Sequence, residues 1–118
     1  MTRTTRTTEE IAEIYFTSWQ AGDTDTLRSI LADDVSFSGP LAQLDNADDC
    51  ATSLGQLAKA TTNLVVHKRF VDGDDVVTWF DLQVGNTPST PVANWSHVEN
   101  GLITRIQVTF DPRGMLGG

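Results

Sequence analysis

The chain has 118 residues, with 8 Lys and Arg against 16 Asp and Glu, a formal charge of −8 at pH 7. That length suits one domain, 1–118, with a core and one internal pocket, and an apolar content of 39% with three Trp, five Phe and one Tyr excludes a disordered chain. The basic residues are few and scattered, so neither nucleic acid nor an anionic membrane is expected as a partner.

Residues 1–6 are polar and read as an irregular lead-in. Thr7 and Glu10 have the spacing of a capping box, in which a hydroxyl and a carboxylate satisfy each other's backbone donors. Ile11, Ile14, Tyr15 and Trp19 follow at helical spacing, with Ala12 and Phe16 widening the apolar face, and Gly22 closes the helix. Asp23 or Thr24 caps a second, short helix with Leu27, Ile30 and Leu31 inward, ending at Asp33-Asp34. Val35–Ser38 alternates as a short strand, and Gly39-Pro40 breaks it. Asp45 or Asn46 caps a third helix, whose stripe is Ala47, Cys50, Ala51, Leu54, Leu57 and Ala58.

From Asn63 the period changes. Leu64–Val71 and Val76–Val84 read as a hairpin around Asp72-Gly73-Asp74-Asp75, and Val92–Val98 and Leu102–Phe110 as a second around Glu99-Asn100-Gly101. Asn86–Pro91 is a loop, and the tail from Asp111, including 115–118, reads as irregular. The order predicts an α+β fold, a cone in which N-terminal helices pack on a strongly curved, mostly antiparallel sheet whose open end makes a ligand cavity. No run approaches the ~20 apolar residues of a membrane span. The start of the chain lacks the apolar stretch of a signal peptide, and the single Cys50 cannot close an internal disulfide, so a cytoplasmic location is expected.

This arrangement resembles the nuclear transport factor 2-like superfamily, whose fold is also called cystatin-like, and within it the SnoaL-like proteins. Four segments between about residues 8 and 114 carry the resemblance: Tyr15 to Gly22-Asp23, Leu31 to Val35, Phe70 to Val76, and Glu99 through Ile103 to Phe110-Asp-Pro-Arg113. It implies relatives that include ketosteroid isomerases, limonene-type epoxide hydrolases, polyketide cyclases, dehydratases and non-catalytic binding proteins, and so no single reaction. For the isomerases it implies a helix Tyr as oxyanion donor, met by Tyr15; a base just before a Pro, which falls on Gly39; and a second acid, which falls near Ala93 or Asn94. For the hydrolases it implies an Asp-Arg-Asp set, of which Asp81 matches one member while Trp79 and Val108 stand near the other positions.

If the 72–75 turn is a simple hairpin, Phe70, Lys68 and Val66 oppose Val77, Trp79 and Asp81 on one face, which the resemblance turns toward the cavity. A bulge would reverse part of it. Asp81 interrupts an apolar run, so it is either a carboxylate with a raised pKa, suited to act as base or acid, or an acid paired with Lys68 or exposed at an edge. His97 is a base or donor near pH 7, or a structural residue at a strand end. Tyr15 donates into the cavity or packs in the core. Trp19, Phe37, Lys68, Trp79, Trp95, Val108 and Phe110 are expected to line the pocket. His67 is placed on the opposite face with Phe80 and Leu82, the surface that related proteins use to dimerise.

The acidic turns lack an EF-hand pattern and read as caps and turn formers, two lone His make no zinc spacing, and Cys50 reads as inert, so no metal or cofactor is expected. Two functions follow. One is a protein that binds a small hydrophobic molecule, with Tyr15, Asp81 and His97 as polar anchors; as an enzyme it would be a cofactor-free isomerase, cyclase or dehydratase. The other is a non-catalytic interaction module. Either is expected to be a homodimer, because the strands are apolar on both faces.

Overall fold

In the computed structural model, residues 6–114 are described; the expected irregular ends at 1–5 and 115–118 lie outside them. The order is α1 (Thr8–Ala21), α2 (Thr24–Ser29), β1 (Leu31–Ser38), β2 (Gln43–Leu44), α3 (Ala47–Ala60), β3 (Thr61–Asp72), β4 (Asp75–Val84), β5 (Thr90–Glu99) and β6 (Leu102–Thr109). The six strands form one sheet in the order β2-β1-β6-β5-β4-β3. All neighbours are antiparallel except β1 and β6, which run parallel. The helices cover one face of this sheet, the inner face, and the core lies between them.

The helix ends follow from local chemistry. The Thr7–Glu10 capping box forms, and Gly22 ends α1 at φ 69°, a left-handed conformation that costs a residue without Cβ little. Asp23 caps α2 and Asn46 caps α3. Gly55 sits inside α3 because a Cβ there would lie 2.7 Å from Thr24 Cγ2. Trp19 Nε1 donates to the Leu54 carbonyl at 2.9 Å, which ties α1 to α3.

Two elements differ from expectation. The second helix stops at Ser29, and Leu31 already pairs with Ile103, so Asp33 and Asp34 belong to β1. The two-residue β2 pairs with Phe37 and Ser38 and covers the edge of β1.

The expected strand faces are reversed. On β4 the buried set is Val76, Thr78, Phe80 and Leu82, and on β5 it is Thr90, Val92, Asn94, Ser96 and Val98. Val77, Trp79 and Asp81 therefore lie on the outer face, away from the helices. Water decides the choice. The odd-numbered set on these strands carries Asp75, Asp81, His97 and Glu99, whose charges would be costly to bury, whereas Phe80 packs edge-on to Phe16 at 5.0 Å. A bulge between Val66 and Lys68 adds a second reversal: Phe70 and Lys68 oppose Val77 and Trp79 as expected, but Val66 opposes Phe80 and Val65 opposes Asp81. His67 is thereby thrown to the outer side, not the side of Phe80 and Leu82.

Candidate functional site

An apolar cavity of about 190 Å³ lies between α1, α3 and the inner face of the sheet. Tyr15 and Trp19 of α1, Leu54 and Leu57 of α3, and Val92 and Val108 of the sheet form its walls. It opens near the β1–β2 connection, where Leu41 is exposed. A larger hollow of about 800 Å³ between α2 and α3 is a solvent-open groove edged by Arg28, Asp48 and Lys59.

Five expected residues meet at the cavity: Tyr15, Trp19, Phe37, Val108 and Phe110. The other five do not. Lys68, Trp79 and Trp95 are exposed on the outer face. Asp81 is there too, where its Oδ2 meets His67 Nε2 at 2.8 Å, so its partner is His67 rather than Lys68. His97 Nδ1 lies 2.8 Å from Asp75 Oδ1, to which Trp95 Nε1 also donates at 2.9 Å. These bonds, that from His97 first, hold the Asp75 carboxyl below its ordinary pKa. The Arg105 guanidinium stacks over the Trp95 ring at 5.0 Å. The outer cluster thus pairs within itself and none of it lines the cavity between α1, α3 and the sheet.

Two buried residues stood outside the expected set. Asn94, which had marked only the region of a missing acid, lines the cavity and donates from Nδ2 to Tyr15 Oη at 3.4 Å. Ser96 donates to Asn94 Oδ1 at 3.0 Å. The signal available was the alternation Val92-Asn94-Ser96-Val98, whose apolar ends mark the buried parity of β5.

Burial, reinforced by the nearby Cys50, pushes the Tyr15 phenol far above its ordinary value, against a small opposing effect of the Asn94 bond. Tyr15 therefore stays protonated, with its oxygen accepting from Asn94. Burial also pushes the Cys50 thiol up, to about 11, so it is not a nucleophile at neutral pH. Gly39 lines the cavity. No Asp, Glu or His is among the cavity-lining residues, and the described residues hold no group of three or more His, Cys, Asp or Glu placed for a metal. No helix among them is long and apolar enough to cross a membrane.

Helices on one face of a six-stranded, mostly antiparallel sheet, with a cavity between the layers, give the chain the fold of nuclear transport factor 2-like proteins. Within that class the chain belongs to the SnoaL-like domain family, whose pattern it matches over residues 12–106. No curated protein matches the sequence. Among solved structures, an NTF2-like protein of unknown function from Cytophaga hutchinsonii is 23% identical at a TM-score of 0.86, over 98% of this chain and 99% of that one. An LEH-like epoxide hydrolase from M. tuberculosis is 24% identical at 0.77, over 94% and 89%. A de novo designed protein with a curved β-sheet is 22% identical at 0.77, over 96% and 90%. A designed protein in this company makes the point that such likeness is one of shape.

Proposed function

We propose that this chain binds a compact hydrophobic molecule in the cavity between α1, α3 and the sheet, with Tyr15 and Asn94 as its polar anchors. The observation that carries the reading is a cavity that is apolar on nearly every side and has the Tyr15 hydroxyl and Asn94 amide at its wall. Its volume of about 190 Å³ is below the roughly 300–1,000 Å³ of drug-sized sites, so the ligand class is a one-ring compound rather than a steroid. Binding is favoured over turnover. Isomerisation, cyclisation or dehydration needs a group to take a proton, and the base position implied by the isomerases is Gly39. The epoxide chemistry named for the M. tuberculosis protein lacks support for the same reason, since Asp81 stands on the other face of the sheet.

The test is a titration with cyclohexanone followed by two-dimensional amide NMR. Saturable shifts are expected at Tyr15, Leu54, Val92 and Val108, with Trp79 and Asp81 unmoved. No saturable shift, or shifts confined to the outer face, would overturn the reading.

A second reading concerns the outer face. We infer that two copies associate there. The support is the set of large apolar side chains left to water: Phe70 at 61% exposure, Trp79 at 44% and Trp95 at 39%.

A further inference from the structure

Ser96 is buried beside the cavity without lining it. It shares the inner face of β5 with Asn94, flanked by Val76 on β4 and Ile106 on β6. Ser96, Asn94 and Tyr15 are exposed by only 4%, 3% and 1%. The chain of hydrogen bonds runs one way, from the Ser96 hydroxyl to Asn94 Oδ1 and from Asn94 Nδ2 to Tyr15 Oη.

A carboxamide accepts at one end and donates at the other. Fixing Oδ1 on Ser96 turns the NH₂ group toward Tyr15, whose oxygen then accepts. The phenol proton finds no acceptor among the described residues and is left to the cavity that Tyr15 lines. The 3.4 Å separation fits this direction. It is a long N–H···O contact, but well outside the roughly 2.5–3.0 Å of a hydroxyl donating to an oxygen.

We propose that Ser96 is a positioning residue that sets ligand preference: by orienting Asn94 it makes the polar end of the cavity a donor, suited to acceptor-only molecules such as ketones, aldehydes, lactones or epoxides rather than alcohols or phenols. The inference rests on the binding reading above. An alcohol can accept from Tyr15, but its own proton must then find an acceptor on a wall that is apolar apart from Ser53, Asn94 and Tyr15 itself, a cost that a ketone does not meet.

The test compares cyclohexanone with cyclohexanol, alike in ring and size, in titrations of the wild-type chain, Ser96→Ala and Ser96→Thr. The wild-type chain is expected to favour the ketone by about tenfold, the scale of one buried hydrogen bond. Ser96→Ala frees the amide to turn its oxygen to Tyr15, so the preference narrows to about twofold or reverses while both ligands still bind. Ser96→Thr restores the hydroxyl and the preference. Should Ser96→Ala fail to fold, Ser96→Cys gives the same comparison, because a thiol is a weak donor. Equal wild-type affinities, or an Ala variant that keeps the ketone preference, overturn the role of Ser96 and leave the binding reading standing. Failure of both compounds to bind the wild-type chain removes the binding reading and this inference with it.

Discussion

Replacing Gly39 with Asp puts a carboxylate on a cavity wall that has none. A Cβ at Gly39 would lie 3.5 Å from Phe37 Cε1, and 3.6 and 3.7 Å from Val108 Cβ and O, all ordinary contacts, and its φ is not positive. A Cβ fits there without a clash, and the apolar surroundings would raise the carboxyl's pKa toward the range of a useful base. With a β,γ-unsaturated cyclic ketone bound, the carboxylate would take a proton from the carbon between carbonyl and alkene. Tyr15 O–H would hold the enolate oxygen, and the new carboxyl would return the proton to the far alkene carbon, giving the conjugated ketone. A placed general base contributes roughly 10²–10⁴-fold, or about 2.7–5.4 kcal/mol of barrier. The cost in stability is about 1–2 kcal/mol, tolerable for a domain of this size. Ultraviolet absorbance of the conjugated product follows the reaction, and Gly39→Asp with Tyr15→Phe should lose about 10²-fold of the gain. A folded Gly39→Asp variant that binds the ketone yet isomerises it no faster than the wild-type chain would refute the idea that a base at this wall, with Tyr15 as donor, is enough to turn the cavity to isomerisation.

Sedimentation over a range of concentrations should show a dimer that Phe70→Lys with Trp79→Lys converts to monomer; a wild-type monomer throughout would end the outer-face reading. Acid should destabilise the chain below about pH 4, the ordinary carboxylate range. Hydrogen bonds from Thr7 to Glu10, from Thr26 to Asp23, from His97 to Asp75 and from Arg113 to Asp111 hold these four carboxyls low, Asp111 to about 2. The folded chain then binds fewer protons than the unfolded one, so stability present above pH 4 is lost as pH falls toward 2. Thermal melts that stay level from pH 5 to pH 2 would contradict this.

What was legible in the sequence is what depends on near neighbours. The Thr7–Glu10 box, the left-handed Gly22 and the two hairpin turns are each set within a few residues, and each forms. Helical spacing places Tyr15 and Trp19 on the apolar face of α1, while the cavity role expected of Tyr15 comes from the family resemblance. The bulge at His67 and the parallel pairing of β1 with β6 depend on residues far along the chain, and no local pattern announces them. The inner parity of β4 and β5 is masked in the sequence because Asp81 and His97 carry the reactive groups, while the neutral Asn94 and Ser96 beside Trp95 are the ones buried. Charge that needs water and charge that does chemistry look alike in a sequence; only the sheet tells them apart.

The parallel seam between β1 and β6 has a consequence for how the molecule comes into being. β1 has two neighbours, the two-residue β2 and β6. A chain emerging from the ribosome can make α1 and α3 early, but β1 waits for nearly the whole sequence before its long partner exists. Contacts between such distant residues form slowly. Val108 and Phe110, at and just beyond the end of that last strand, are also cavity wall. The cavity is therefore complete only once β6 is in place, and a chain stopped before Leu102 would have neither a seam for β1 nor a closed pocket.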